Sequence, residues 1–362
     1  MIERSTIRSP YMEFAKLHSG AKYNLATSGI MGYPMSGLPV KIEDLEINGP
    51  DSYGYVPLLD RIAKKNEVEP DCVVYALGTS LANNLAIAGC TEPGDEVLTE
   101  SPGYELIDTT LKFFGLEVRY YQRRFENGYR IEIDELERQL TPRTKLIVIT
   151  NLHNPSGVLT DDETLRRVGE LARRAGARVL VDEVYLELIF DAKPRSSFHL
   201  DPQTFVVTNS LTKAYGLSGI RCGWILAEPK LARRIWRIKD LYDGISPYAT
   251  EQLGVIALDN LAKVAAVAKT LLCTNRSALA EFLASRKDLA FVPNEHATIV
   301  FPRLLKGTVE NLGELLRQKY ETSIVPGSFF GQPQHFRIGV GGDPEMTKEG
   351  LRRLRLALDE LR

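Results

Sequence analysis

From Val73 onward the chain alternates short apolar runs with amphipathic stretches. Val73–Leu77 is apolar, broken by Gly78-Thr79-Ser80, and Leu81–Ala88 reads as helix. Asp95–Glu100 and Leu116–Gln122 are further strand candidates. Thr144–Thr150 is continuously apolar, the pattern of a parallel strand covered on both faces. A capping-box pattern at Thr160–Glu163 then opens a helix whose Leu165, Val168, Leu171, Ala172 and Ala175 share one face, and Gly176 stops it. Ala177–Asp182, Thr204–Thr208 and Gly223–Ala227 are the next apolar runs. Strand and helix in alternation predict a mostly parallel sheet sandwiched by helices, with right-handed crossovers. After Pro229 the texture shifts to longer helices, Lys230–Ile238 and Leu258–Leu283. Short strands at Thr298–Phe301 and Phe336–Val340 bracket a helix at Val309–Tyr320. Asp343-Pro344 caps a last helix with Leu351, Leu354, Leu358 and Leu361 inward. Residues 1–40 read as irregular. The expectation is an α/β protein with a large domain over 41–255 and a smaller α+β domain made of 1–40 plus 256–362.

Composition narrows the function more than the fold. The 362 residues carry 45 basic and 47 acidic side chains, a net charge of −2. That balance leaves no basic footprint for nucleic acid or an anionic membrane. No apolar run approaches the roughly 18 residues of a membrane span, and the first residues lack the apolar core of a secretory signal. Cys72, Cys90, Cys222 and Cys273 are scattered, without the pairs of a zinc site or a disulfide framework. The expectation is a cytoplasmic protein without a metal.

Chemistry concentrates in Ser210–Gly223, which follows one of the apolar runs. Lys213 stands there among hydroxyls and small residues, and Arg221 lies eight residues on in a glycine-rich turn. A lysine held at a strand end and partly stripped of water can attack a carbonyl as an amine. An arginine in such a turn can fork two hydrogen bonds onto a phosphate. Pyridoxal phosphate, an aldehyde carrying a phosphate, needs both. Alone, the pair would read as surface residues of a flexible loop.

Other positions gain meaning only beside it. Gly78-Thr79-Ser80, at a strand-to-helix junction, suits a phosphate and equally a plain N-cap. Tyr104 could stack on a flat ring or pack in the core. Asn154 and Asp182 lie just past strand ends, where ligands of parallel sheets sit. A lone carboxylate at Asp182 would be costly to bury, and a protonated pyridine nitrogen would supply its counter-charge. Tyr185 and Asn154 can reach the ring's phenolic oxygen, and Ser210 and Arg221 the phosphate. Gly29, after a short apolar segment, is either an ordinary turn or a close backbone approach.

Asn154-Pro-Ser-Gly157, Asp182-Glu-Val-Tyr185, Ser210-Leu-Thr-Lys213 with Gly-Leu-Ser-Gly-Ile-Arg221, Val325-Pro-Gly-Ser-Phe-Phe-Gly331 and Phe336-Arg337-Ile-Gly339 together resemble the motifs of the class I/II, fold-type I aminotransferases of the aspartate aminotransferase kind. The resemblance spans roughly residues 24–340. It implies amino-group transfer between an α-amino acid and a 2-oxo acid, with Lys213 as Schiff-base lysine. It further implies that Arg337 clamps the substrate α-carboxylate and that Gly29 offers it a backbone amide. The family is typically a homodimer in which a partner tyrosine reaches the phosphate, here Tyr53 or, second, Tyr55. The loop Tyr53–Pro57 is shorter than the family's. Tyr242–Glu251 holds no arginine to read a distal carboxylate, so apolar or aromatic donors are expected to outrank aspartate, with Ile30, Met31, Tyr33 and Tyr53 near the site entrance. A carbon–sulfur β-lyase or aminocyclopropane-type lyase on the same scaffold would share every cofactor residue. A non-catalytic effector-binding domain is the reading from another class.

Overall fold

The computed structural model describes residues 4–50, 52–192 and 194–361. Its centre is a seven-stranded sheet: β1 (Val73–Leu77), β2 (Glu96–Ser101), β3 (Glu117–Gln122), β4 (Thr144–Thr150), β5 (Arg178–Asp182), β6 (Phe205–Ser210) and β7 (Cys222–Leu226). The spatial order is β1-β7-β6-β5-β4-β2-β3. All neighbours run parallel except β7, which is antiparallel to both β1 and β6. The reason is the link before it. Residues 211–221 form a tight turn with no full crossover helix, so the chain must return in the opposite direction.

The apolar runs are strands because both faces are covered. Val179, Val181, Phe205 and Val207 pack into the core on one side, and Leu180 and Val206 into the core on the other. That strict alternation gives two buried layers from one sheet. Helices Thr79–Cys90 and Pro229–Lys239 cover one face, and Asp162–Ala175 lies over the other.

The smaller part of the molecule carries a three-stranded antiparallel sheet in the order Ile299–Val300, Phe336–Gly339, Val325–Pro326. Long helices Leu261–Ala284 and Pro344–Glu360 pack beside it. The N-terminal segment joins this part, since Tyr23–Asn24 pairs in parallel with Thr322–Ser323.

Three local expectations are corrected. Residues 1–40 are not all irregular, because Pro10–Leu17 is a helix with Ser9 as N-cap and Pro10 in its first turn. Eight residues with one buried position, Tyr11, make too short a periodic signal to stand out. The cap of Asp162–Ala175 is Asp161, whose side chain accepts from Thr164 N at 2.7 Å, rather than Thr160. Thr160 is engaged instead by Arg123 and by the Asn151 amide. The expected helix Leu258–Leu283 is two, Tyr248–Asp259 and Leu261–Ala284, broken at Asn260.

Candidate active site

The carboxyl ends of β1, β4, β5 and β6 open on one edge of the sheet, as ligand sites in parallel sheets do. There the chain leaves a cavity of about 350 Å³ whose walls include Tyr11, Thr79, Asn154, Asp182, Tyr185 and Lys213. Ser80, Tyr104 and Arg221 line it as well. Residues remote in sequence meet because each follows a different strand.

Lys213 sits in the one-turn helix Thr212–Tyr215 directly after β6. Its Nζ donates to Ser28 Oγ at 3.1 Å. The N-terminal segment is docked onto this lysine, with Ile30 N donating to Lys213 O at 2.8 Å. Gly29 lies so close that a Cβ there would stand 3.1 Å from the lysine side chain. Gly341 extends the same contact, since a Cβ on it would meet Gly29 O at 2.0 Å.

Asp182, the last residue of β5, is buried at 3% exposure. Its Oδ2 accepts from Asn83 Nδ2 at 2.8 Å and its Oδ1 from Val184 N at 3.1 Å. Burial pushes its carboxyl up to about 6, against the pull of these donors and of Lys213. A carboxylate so placed favours a cation in the cavity. Tyr185, also buried, lines the same wall.

At the other end the helix Thr79–Cys90 presents its N-terminus to the cavity. Gly78 caps it with φ +83°, and a Cβ there would stand 2.2 Å from an Arg221 guanidinium nitrogen. Arg221 donates to Leu77 O at 2.9 Å and to Ser218 O at 3.2 Å. Thr79 Oγ1 donates to Ser210 Oγ at 2.8 Å. Backbone amides, hydroxyls and an arginine without a carboxylate partner among the described residues make an anion cradle.

Arg337 is fully buried, and no carboxylate among the described residues pairs with it. It donates to Asn154 Oδ1 (2.9 Å), Tyr11 Oη (2.8 Å) and Ala26 O (3.3 Å), while its Nε has no partner among the described residues. Burying such a charge without a counter-ion is strongly unfavourable, so the arrangement suits a second anionic group. Burial alone would raise the Tyr11 phenol, but the Arg337 and Lys213 charges outweigh it and hold it below the usual tyrosine range. Loop positions are fixed from behind. Asn154 N donates to Thr150 Oγ1 at 3.0 Å, and His153 Nε2 lies 2.9 Å from Pro102 O, tying the Asn154 loop to the Tyr104 loop.

Most expected residues therefore converge, with two differences. Arg337 is sealed from the cavity by Tyr11 and Ala26 instead of lining it. Tyr53 lies in a separate surface cleft, half exposed, with its hydroxyl on Asp240 Oδ2 at 3.0 Å and its ring against Trp236. The expected entrance surface also differs, because Ile30, Met31 and Tyr33 do not line the cavity. Tyr11, Met12, Phe14, Ala15 and Val325 supply that apolar wall. The sequence reading passed over Tyr11, Ser28 and Asn83. Asn83 was findable, since it stands one helical turn after Thr79 on the same face.

An aldehyde with a phosphate and a basic ring nitrogen fits this set: an amine, an anion cradle and a buried carboxylate on one cavity. Among curated proteins, a capreomycidine synthase of Streptomyces vinaceus is 29% identical over 344 residues, covering 91% of this chain and 88% of its own. A probable aspartate/prephenate aminotransferase of Aquifex aeolicus is 29% identical over 321 residues, covering 84% and 80%. Among solved structures, a PLP-dependent aminotransferase of Streptococcus suis superposes with a TM-score of 0.91 at 24% identity, covering 98% of both chains. Residues 47–354 match the family described as aminotransferase class I and II, and with cavity and family in agreement the chain belongs to the class I and II aminotransferases, with pyridoxal phosphate as cofactor.

Proposed function

We propose that this enzyme moves an amino group between an α-amino acid and a 2-oxo acid through Lys213. The observation that carries the reading is the meeting of the Lys213 amine and the buried Asp182 carboxylate on one cavity, with the Arg337 guanidinium directly behind its Asn154 and Tyr11 wall. When bound, pyridoxal phosphate supplies an aldehyde that captures the amine and a ring that accepts the electron pair released at Cα. Lys213 would hold that aldehyde through its amine and, once free, would carry the proton to and from Cα. Ser28 holds its Nζ in place. Asp182 keeps the ring nitrogen protonated. With Asn154 Oδ1 committed to Arg337, its NH2 end is left for the phenolic oxygen, together with Tyr185. Gly78, Thr79, Ser80, Ser210 and Arg221 would hold the phosphate, and Tyr104 would pack against the ring.

Arg337 takes the α-carboxylate, with the Gly29 amide. For that, Tyr11 must leave the guanidinium, so substrate binding is coupled to a shift of the helix Pro10–Leu17. Lys213 and Arg221 are the only cations lining the cavity among the described residues, and both have other work. A distal carboxylate would be buried unpaired, whereas Tyr11, Phe14 and Val325 offer apolar surface. Donors with apolar or aromatic side chains are therefore preferred to aspartate.

We divide the chain into a cofactor-binding unit, 41–255, and a smaller unit, 1–40 plus 256–362. The functional form is a homodimer: Ile47 and Ile245 are exposed apolar residues lining the Tyr53 cleft, a surface suited to a second copy that receives Tyr53 at its phosphate. No helix among the described residues is long and apolar enough to cross a membrane. Four unpaired cysteines fit a reducing, cytoplasmic setting.

A second reading is a carbon–sulfur β-lyase or aminocyclopropane-type lyase on the same scaffold, which would use the same cofactor residues. Incubation of the holoenzyme with cysteine alone, whose Cβ carries a thiol as leaving group, separates the two. Transamination accumulates pyridoxamine phosphate and one equivalent of oxo acid, whereas β-elimination continues to release oxo acid and ammonia without pyridoxamine phosphate.

A further inference from the structure

Within the helix Thr79–Cys90, Asn83 stands among Ala82, Leu85, Ala86 and Ile87, all buried. At 5% exposure it is a buried polar side chain among these apolar neighbours. A buried amide is tolerated only when its bonds are made, and here both go to one place. Thr208 Oγ1, fully buried on β6, donates to Asn83 Oδ1 at 2.5 Å, and Asn83 Nδ2 donates to Asp182 Oδ2 at 2.8 Å. Asp182 and Thr208 are register partners on adjacent strands, so their side chains leave the sheet on the same face, toward this helix. The Thr208 hydroxyl decides which way the amide turns. With Oδ1 taken, the NH2 group must face the carboxylate, and the opposite turn would set two oxygens against each other. Val184 N fixes the other carboxylate oxygen at 3.1 Å. Asn83 directly, and Thr208 through it, are thus committed from distant parts of the sequence to one carboxylate at the end of the cavity wall.

We infer that Asn83, locked by Thr208, is the positioning residue that orients the Asp182 carboxylate for the cofactor's ring nitrogen. The inference rests on the pairing of Asp182 with that nitrogen in the proposed function. Three other titratable groups act on this carboxylate: Lys213 after β6, Glu100 at the end of β2, and Tyr104 in the loop beyond β2. Lys213 favours its charged form and Glu100 opposes it. The Asn83 donor also favours the charged form. Losing it therefore raises the pH at which Asp182 becomes charged and competent to pair, above its present value of about 6.

The test compares Asn83→Ala, Thr208→Val, Thr208→Ser and Asp182→Ala with the parent protein. Apoenzyme is titrated with pyridoxal phosphate from pH 5 to 9, and the melting temperature of each apoenzyme is recorded alongside. A hydrogen bond to a charged group sets the scale, so Asn83→Ala should weaken cofactor binding by about ten- to hundredfold near neutral pH. It should also shift the inflection of affinity against pH upward. Thr208→Val should move both in the same direction by less, and Thr208→Ser should restore them. A purely structural amide would lower the apoenzyme melting temperature and leave affinity and inflection in place. Cofactor binding within threefold of the parent in Asn83→Ala, with binding lost in Asp182→Ala, overturns the inference while sparing the Asp182 pairing. Unchanged binding in Asp182→Ala overturns both. Should Asn83→Ala fail to fold, the Val and Ser variants at Thr208 decide the matter, since Val keeps the volume and loses the hydroxyl while Ser keeps the hydroxyl.

Discussion

Replacing Arg337 tests the substrate half of the site most directly. Its guanidinium is fully buried, has no carboxylate partner among the described residues, and spends its donors on Asn154, Tyr11 and Ala26. A substrate carboxylate entering there would form a two-pronged, charge-assisted pair in a site closed to water. Arg337→Lys keeps the charge and loses the fork, and one hydrogen bond to a charged group is worth about 1.5–3 kcal/mol. The expected loss in kcat/KM is roughly ten- to 150-fold, by the relation of about 1.4 kcal/mol per decade. Arg337→Ala removes the whole pair, and truncations of this kind cost about 2–5 kcal/mol, or about thirty- to five-thousandfold. The assay is half-reaction kinetics by absorbance with leucine, phenylalanine and alanine as donors. The factor should be the same for all three, because the lost contact lies at the common end of each. Phenethylamine, which is phenylalanine without its carboxylate, should react with parent and variant alike. Tyr11→Phe provides the converse, since the phenol competes for the same guanidinium, and KM should fall by about two- to tenfold for every amino acid. Equal losses for phenylalanine and phenethylamine, or losses differing more than tenfold among donors, would refute the assignment of Arg337 to the α-carboxylate.

Borohydride reduction of the holoenzyme should fix the cofactor on the peptide carrying Lys213, and labelling of any other lysine would sink that assignment. Lys213→Ala should retain the cofactor through Arg221 and Asp182 while losing nearly all turnover. Asp182→Ala should slow the half-reaction by a hundredfold or more, since several kcal/mol of pairing to the ring nitrogen are lost. A near-normal rate would mean the ring sits otherwise. The same carboxyl gives a pH signature. Its value, about 6, lies above the ordinary 3.8, so the penalty on its charged form is absent below about pH 4 and reaches about 3 kcal/mol above about pH 6. A cationic ring nitrogen removes that cost, so the rise in melting temperature on adding cofactor should be larger at pH 7.5 than at pH 5. Glu183 and Glu251, also raised to about 7 by burial, do not line the cavity and cancel in this difference. An equal rise at both pH values would count against the pairing. Finally, aspartate at least tenfold better in kcat/KM than leucine, phenylalanine and alanine would show that some other cation serves a distal carboxylate.

Much of the large sheet was legible because its strands are buried on both faces and read as unbroken apolar runs. Thr144–Thr150 coincides with β4, and the helices Val309–Tyr320 and Pro344–Glu360 follow their caps. Lys213, Asp182 and Asn154 could be picked out for the same reason, as polar residues at or just past the ends of such runs, and Arg221 by its glycine-rich turn. The helix Pro10–Leu17 was not legible. Its stability comes from packing Tyr11 against Tyr104, Phe329 and Phe330, contacts with no local signature. The apolar wall was therefore sought in Ile30, Met31 and Tyr33, whose side chains lie outside the cavity.

The sequence by itself determined which chemistry is available: a lysine behind a strand, an arginine in a glycine turn, a carboxylate closing an apolar run. These depend on residue type and on neighbours a few positions away, which spacing records. Only the tertiary structure decided how those groups are held. Thr208 reaches Asn83 across 125 positions, Arg337 reaches Asn154 across 183, and Lys213 reaches Ser28 across 185. Such pairings arise from strand order and from the docking of the N-terminal segment, and nothing in a local pattern encodes them. The same is true of Tyr11 over Arg337, 326 positions away, whose phenol covers the guanidinium on its cavity side.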